Sequence, residues 1–122
     1  MARILIIDDS ATEIASFSRI LKNHEHEIVS ASNAEEGLAK ARQEKPDLIL
    51  MDVVMPGMNG FQATRRLTRD PETSNIPVIM ITAKDQETDR IWGLRQGARD
   101  YVIKPIREAD LIGKVDTFLA SS

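Results

Sequence analysis

The sequence contains no cysteine and is poor in aromatic residues, with one tryptophan, one tyrosine and three phenylalanines. Without thiols the chain can form no disulfide, thiolate nucleophile or zinc–thiolate site. This composition is consistent with a reducing compartment. Because the sequence also has neither a membrane span nor the core of a signal peptide, we expect a cytoplasmic protein. The sequence also lacks an excess of positive charge, because its formal net charge is −3 and its pI is near 5.4. An acidic chain argues against a nucleic-acid-binding surface, which needs concentrated positive charge.

Long apolar runs are absent as well. No stretch approaches the roughly 20 apolar residues of a membrane span. The N-terminus passes from Met1-Ala2-Arg3 directly into a strand-like run of four apolar residues, which is too short for the core of a signal peptide. A chain of 122 residues can form one domain with a real core but not two. We therefore expect a single domain over residues 1–122, with no output domain and no membrane contact.

Short apolar runs alternate with helical patterns along the whole chain. The predicted strands cover residues 3–7, 27–31, 47–52, 76–82 and 99–104, and the predicted helices cover residues 11–23, 34–44, 60–69, 86–96 and 108–120. Capping residues precede several helices, including Ser10, Asn59 and, for the fourth helix, Asp85. This alternation predicts an α/β fold, a flavodoxin-like (βα)5 doubly wound parallel sheet of five strands in the order 2-1-3-4-5.

Acidic residues follow two of the predicted strands. Asp8 and Asp9 end the first strand, and Asp52 ends the third. In the order 2-1-3-4-5 these strands are neighbours, so the three carboxylates should meet at the carboxyl edge of the sheet, beside Thr82 and Lys104. Three close carboxylates repel one another unless a cation or a proton is shared, and such oxygen ligands suit Mg²⁺. With a cation and Lys104 present, one aspartate could attack a phosphoryl group, and Thr82 could then bond to a phosphoryl oxygen.

These residues resemble those of response-regulator receiver domains of the chemotaxis type. The likeness spans nearly the whole chain and also includes the stretches 55–60, 82–83, 97–101 and 104–105. It implies that Asp52 is phosphorylated from a kinase phosphohistidine. It also implies that Asp9 ligates Mg²⁺ directly and Asp8 mainly through water, and that Asp52 and the backbone carbonyl of Val54 complete the protein ligands.

Further roles follow from the same resemblance. It implies that Thr82 and Tyr101 form a switch pair, that Lys104 contacts the phosphoryl group and that the Lys104–Pro105 bond is cis. Residues 59–65, 84–89 and 95–101 are similar to the stand-alone regulators of type IV pilus twitching motility, the PilH-like group. The implied partners are a histidine kinase or phosphotransfer domain and an unidentified output protein. The sequence itself leaves the oligomeric state open, and a monomer is the default expectation.

Output is expected from the domain's own surface, because the last predicted helix ends within two residues of the end of the sequence. The expected surface is formed by the fourth helix, the fifth strand and the fifth helix. Two placements fit Trp92 there, either inward packing beside Ile91 or exposure as an anchor for a partner. We favour exposure, because Ile91, Leu94 and Ala98 already form an inner stripe.

Two other functions use the same residues. The domain could be a phosphate sink or relay intermediate that needs no output partner. It could also be an aspartyl-phosphate phosphatase of the haloacid-dehalogenase kind, but the general acid expected two positions after the nucleophile is replaced by Val54. Elsewhere, the stretch His24-Glu25-His26-Glu27 is interpreted as a solvated loop. The arginines at positions 65, 66 and 69 are interpreted as a solvated helix face.

Overall fold

A computed structural model describes residues 1–120 of the protein and contains five strands and five helices. The strands are β1 (Arg3–Ile7), β2 (Glu27–Ala31), β3 (Leu48–Met51), β4 (Val78–Thr82) and β5 (Asp100–Ile103). The helices are α1 (Ala11–Lys22), α2 (Ala34–Glu44), α3 (Gly60–Arg69), α4 (Glu87–Arg95) and α5 (Glu108–Ala120). Each element lies within about two residues of its predicted position, and the predicted α/β fold is confirmed.

The five strands form one parallel sheet in the order β2-β1-β3-β4-β5, as predicted. In the register between β1 and β3, Ile7 lies opposite Met51. The residues that follow these two positions are Asp8 and Asp52. The sheet register therefore brings carboxylates that are distant in sequence to adjacent strand ends.

The apolar runs of the three central strands, β1, β3 and β4, are buried on both faces of the sheet. Along β1, Leu5 and Ile7 belong to the core cluster that includes Ala41 of α2 and Leu67 of α3. Ile4 and Ile6 point the other way, into a second cluster that contains residues of α1 and α5 (Phe17, Ile20, Leu21, Leu111 and Val115). Because helices cover both faces, these strands need apolar residues at every position.

Polar side chains define the start of the first three helices. Ser10, Asn33 and Asn59 each accept a hydrogen bond from a backbone N–H three residues later. The predicted cap of α4 is wrong, because α4 begins after Gln86 and no side chain caps it within the described structure. Asp85 lies one position too early to serve as its N-cap.

The predicted inner stripe is also wrong at Ile91 and Leu94, although its third member, Ala98, is buried in the core. Ile91 and Leu94 are 41% and 36% exposed, and the residue of α4 that is buried is Gly93. Glycine allows α4 to approach the sheet so closely that a Cβ at this position would lie 2.7 Å from the sulfur of Met80. The apolar side chains beside it consequently face outward. Trp92 is 48% exposed, as predicted.

Within residues 1–120, no helix combines the length and the apolar character that a bilayer-crossing segment requires.

Candidate functional site

Three carboxylates converge at the carboxyl edge of the sheet. One oxygen atom from each of Asp8, Asp9 and Asp52 lies within 4.8 Å of the others. Asp8 is 2% exposed and Asp52 is 8% exposed, whereas Asp9 faces solvent. The three carboxylates therefore line a recess in which Asp8 and Asp52 are buried and Asp9 is open to water.

The two oxygens of Asp52 have different surroundings. Oδ1 accepts hydrogen bonds from the backbone N–H of Val53 at 2.7 Å and of Val54 at 3.4 Å. Oδ2 lies 3.4 Å from the ammonium nitrogen of Lys104. Backbone donors thus fix the carboxylate through one oxygen and leave the other facing the recess.

The position of Asp52 also depends on Gly60, the first residue of α3. Its N–H donates to the carbonyl of Val53 at 2.9 Å, and a Cβ at this position would overlap the backbone carbonyl oxygen of Asp52. Only glycine lacks that atom, so the start of α3 can pack directly on the chain that carries the carboxylate.

Lys104 is the cation of the site. Its Nζ lies 3.0 Å from Oδ2 of Asp8, 3.4 Å from Oδ2 of Asp52 and 3.7 Å from Oε1 of Glu13. The backbone N–H of Lys104 donates to the carbonyl of Thr82, and the Lys104–Pro105 bond is cis, as the family resemblance implied. Burial alone favours the neutral amine, but the hydrogen bond to Asp8 and the charge of Asp52 outweigh it and raise the pKa of Lys104. The lysine is therefore firmly protonated.

For Asp8, burial outweighs the hydrogen bonds and favours the neutral acid. Burial raises the pKa of Asp8, although hydrogen bonds from the backbone N–H of Ser10 and from Lys104 act to lower it. The nearby charge of Asp52 adds to the increase. A second cation in the recess would lower the pKa of Asp8 again, because a positive charge favours the charged form of each carboxylate.

Thr82 and Tyr101 are linked through Lys84. The hydroxyl of Thr82, which is fully buried, accepts a hydrogen bond from the Lys84 backbone N–H at 3.3 Å. The hydroxyl of Tyr101 donates to the Lys84 carbonyl at 2.8 Å. Burial, with smaller contributions from Asp89 and Asp52, raises the pKa of Tyr101 to about 12. Tyr101 is thus a neutral donor that holds the loop after β4.

The structure places the other predicted residues around this recess. Val54 is 57% exposed and, with Trp92, lines a groove of about 360 Å³ between the β3–α3 and β4–α4 loops. Sequence reasoning missed Glu13 as a neighbour of Lys104 and missed the ion pair between Lys84 and Asp89 at 3.6 Å. The sequence signal near Glu13 was the capping residue Ser10 at the start of the first helix, and it gave no reason to connect Glu13 with Lys104.

The oxygen-rich donor set fits Mg²⁺, which binds carboxylates and retains several water molecules. The open side at Asp9 leaves room for such water, and Lys104 offsets part of the acidic charge on the opposite side. Chemically, the recess combines a fixed carboxylate oxygen, a protonated lysine and a potential cation site. Such an arrangement can stabilise negative charge on a transferring phosphoryl group.

Comparisons of the sequence point to one family. Residues 4–116 match the family model described as the response regulator receiver domain. The chain is 59% identical over 120 residues to protein PilH of Pseudomonas aeruginosa, covering 98% of this chain and 99% of that protein. It is 43% identical over 114 residues to the response regulator PleD of Caulobacter vibrioides, a match that spans 93% of this chain but 25% of PleD.

Solved structures give the same result. A putative response regulator from Chloroflexus aurantiacus superimposes with a TM-score of 0.93 at 31% identity, covering 98% of each chain. The chemotaxis protein CheY4 of Vibrio cholerae superimposes with a TM-score of 0.91 at 28% identity, covering 97% of this chain and 98% of CheY4. Both superpositions cover at least 97% of this chain.

Proposed function

Because the chain belongs to the response regulator receiver domain family, we propose that it is a phosphorylation-controlled signalling domain. In this proposal Asp52 accepts a phosphoryl group from a histidine kinase or a phosphotransfer domain. The observation that carries it is the convergence of Asp8, Asp9 and Asp52 with Lys104 at one edge of the sheet.

The proposed nucleophile is Oδ2 of Asp52. Oδ1 is occupied by two backbone N–H donors, whereas Oδ2 faces the recess and Lys104. Oδ2 attacks the phosphorus of a phosphohistidine, the P–N bond breaks, and the imidazole nitrogen keeps the electron pair and takes up a proton. The product is an acyl phosphate on Asp52, and the ammonium of Lys104 stabilises the charge on its oxygens.

The carboxylates of Asp8, Asp9 and Asp52, together with the backbone carbonyl of Val54, would hold Mg²⁺. When bound, the ion would offset the charge of the phosphoryl oxygens and of the carboxylates around them. The role of the protein is to gather these oxygens at fixed strand ends before any ligand arrives.

The switch is proposed to run from Thr82 to Tyr101. Within the described residues, the Thr82 hydroxyl accepts one hydrogen bond and its own proton has no protein acceptor, so it is free to donate to an arriving phosphoryl oxygen. Movement of Thr82 toward that oxygen would displace Lys84, two residues later. Since Lys84 provides the acceptor for Tyr101, the tyrosine would then change its position.

The output surface is proposed to include α4 and β5. Ile91, Trp92, Leu94 and Ile103 expose apolar side chains there, with exposed fractions of 36–48%. Trp92 is the proposed anchor for a partner, because large aromatic side chains dominate many interfaces. The similarity to PilH supports a role in type IV pilus twitching motility, in which the protein would act as a cytoplasmic monomer.

A phosphatase that turns over small substrates is the weaker alternative. Such chemistry needs an acid to protonate the leaving group and a base to activate water. The residue two positions after Asp52 is Val54, whose exposed side chain can do neither. We therefore propose that the acyl phosphate is a signal and not a turnover intermediate.

The deciding experiment measures phosphorylation with an NMR readout. Amide spectra are recorded with Mg²⁺ and acetyl phosphate, or beryllofluoride, for the parent protein, Asp52→Asn and Asp116→Asn. The last variant removes an exposed carboxylate of α5 outside the acidic cluster and serves as the matched control. We expect changes around Asp52, Thr82 and Tyr101 in the parent and the control, and none in Asp52→Asn.

Unchanged spectra in all three proteins would contradict the proposal. So would phosphotransfer from a labelled phosphohistidine domain to Asp52→Asn at the parent rate. Transfer to the parent protein without any spectral change would support the phosphate-sink alternative, because the domain would then accept phosphate without switching.

A further inference from the structure

A groove of about 870 Å³ runs along the exposed side of α3 and is bordered by Arg42 of α2. Four arginines line it: Arg42 from α2, and Arg65, Arg66 and Arg69 from α3. Met58, which precedes α3 in the sequence, and Pro71, which follows it, contribute apolar surface to the groove. The groove is distinct from the acidic recess, since none of its lining residues belongs to that cluster.

The charge of this groove is not balanced within the described protein. Arg42 forms an ion pair with Asp70. Its Nε and Nη2 atoms each lie 2.7 Å from Oδ2 of that carboxylate. The other oxygen of Asp70 accepts a hydrogen bond from the Glu72 backbone N–H at 2.9 Å. The guanidinium groups of Arg65, Arg66 and Arg69 are exposed and, among residues 1–120, have neither a hydrogen-bond nor an ion-pair partner.

This arrangement goes beyond a solvated helix face. The net charge of the whole chain is −3, yet three unpaired cations are gathered at one concave site. A single helix could present three arginines to water by chance. Here a fourth arginine comes from a different helix, and the single carboxylate of the groove is already fully engaged.

The chemistry of the groove selects its ligand. Arginine presents a planar fork of donors that matches a carboxylate, and it loses less hydration on burial than lysine does. The flexible side chain of Met58 adds an adaptable apolar contact. A complementary ligand therefore carries several carboxylates and at least one apolar side chain.

The shape and the surroundings of the groove limit the class of ligand that it can bind. The groove is open along its length, so it could not enclose most of the surface of a small molecule, as ligand pockets do. Acidic residues flank the groove. Glu35 lines a smaller cavity beside it, and Glu72 lies two residues after Asp70. These carboxylates interrupt the positive surface that a nucleic-acid backbone or an anionic membrane would need.

We infer that the groove along α3 docks an acidic segment of a partner protein, whose carboxylates pair with Arg65, Arg66 and Arg69. The contact does not require phosphorylation of Asp52, since neither Asp52 nor Lys104 lines the groove. Electrostatic complementarity of this kind contributes mainly to the rate and the specificity of association.

The test uses the full chain and a fluorescein-labelled peptide of alternating glutamate and leucine. Binding is followed by fluorescence anisotropy, and the contact is mapped by amide NMR. The test variant is Arg65→Gln/Arg66→Gln/Arg69→Gln. The matched control is Arg19→Gln/Arg95→Gln/Arg99→Gln, which removes the same charge from exposed positions outside the groove.

We expect the groove variant to bind the peptide about tenfold more weakly than the parent protein, a loss of about 1.4 kcal/mol. The control should change affinity no more than about twofold, and amide shifts in the parent should centre on Met58 to Pro71. A peptide with glutamine in place of glutamate should not bind. Because the substituted arginines have no partners in the fold, circular dichroism should show both variants folded.

Several results would overturn the inference. They are absence of peptide binding, equal weakening in both variants, or shifts that map elsewhere. Preferential binding of single-stranded DNA or of phosphatidylserine vesicles at the groove would do so as well. The experiment is repeated with Asp52→Asn, which should bind the peptide normally. That result keeps the groove separable from the proposed phosphorylation site.

Discussion

The hydroxyl of Tyr101 donates a 2.8 Å hydrogen bond to the backbone carbonyl of Lys84, which fastens β5 to the loop after β4. Tyr101 is buried, with 6% of its surface exposed, and its ring packs beside Gly93 of α4. One side chain thus connects the β4–α4 loop, α4 and β5. It is also the single tyrosine of the sequence, so its titration can be followed without interference.

The first prediction concerns that titration. Burial and nearby aspartates raise the pKa of Tyr101 to about 12, whereas an unfolded tyrosine titrates near 10. Between pH ~10 and pH ~12, the folded state therefore retains the hydroxyl proton of Tyr101, whereas the unfolded state loses it. The resulting contribution to stability, roughly 2–3 kcal/mol, is fully present below pH ~10 and is lost as the pH rises through ~12.

Ultraviolet absorbance of tyrosinate checks this directly. The native protein should titrate well above the same protein in concentrated urea, which is the control. Urea midpoints measured across the alkaline range should fall for the parent protein, and should fall less for Tyr101→Phe. Coincident native and unfolded titrations would contradict the buried, donating hydroxyl.

The second prediction compares two helical glycines. At Gly93 a Cβ would lie 2.7 Å from the sulfur of Met80 and 2.9 Å from Cδ2 of Tyr101. At Gly113, in α5, nothing lies within 4 Å of that position. Gly93→Ala should destabilise the fold by about 1–3 kcal/mol through overpacking. Gly113→Ala should stabilise it by roughly 0.5–1 kcal/mol through helix propensity.

Urea unfolding of the two variants provides the measurement. Amide spectra of Gly93→Ala should also show changes at Met80 and Tyr101 that are absent from Gly113→Ala. If both substitutions proved stabilising, α4 would have to sit farther from the sheet than the structure indicates.

The third prediction concerns Thr64 of α3. Its hydroxyl is fully buried and is the one buried side-chain polar atom without a hydrogen-bond partner in the part of the chain described. Thr64→Val keeps the shape and removes the desolvated oxygen, and the two residues have similar helix propensity. We expect the variant to be about 1–2 kcal/mol more stable.

Thr117→Val is the matched control for Thr64→Val. Thr117 is exposed on α5, and its hydroxyl donates to the Gly113 carbonyl at 2.8 Å. Thermal unfolding should show no gain for this variant. A loss of stability in Thr64→Val would mean that the hydroxyl has a partner in solution.

The fourth prediction concerns the acidic cluster. Removal of two charges in Asp9→Ala/Asp52→Asn should raise the unfolding temperature in EDTA, because it relieves repulsion among the carboxylates. Added Mg²⁺ should stabilise the parent protein and have little effect on the double variant. Lower stability of the double variant in EDTA would show that Lys104 offsets the acidic charges more fully than they repel one another.

Much of the fold and part of the site follow from the sequence alone. Unbroken apolar runs such as Leu48 to Met51 predict strands, because only a sheet covered on both faces needs apolar residues at every position. Alternation with helices then limits the topology, and the strand order places Asp8 next to Asp52. Local chemistry also marked Asn59 as a helix cap.

Other features depend on how the elements pack. The sequence predicts an apolar stripe on α4, yet the tertiary structure buries Gly93 and turns Ile91 outward, because a glycine permits closer approach than any apolar side chain. Similarly, no local pattern connects Tyr101 with Lys84. Such contacts are set by the separation of packed elements, which a one-dimensional pattern does not contain.

The sequence by itself determined the strands, the sheet order and the acidic edge, since each depends on local periodicity and on general rules of chain connection. Only the tertiary structure decided which oxygen of Asp52 faces Lys104, what holds Tyr101 in place, and that Arg42 joins the arginines of α3 in one groove. The physical reason is that these relationships join side chains from separate elements, and their distances are fixed when the helices pack on the sheet.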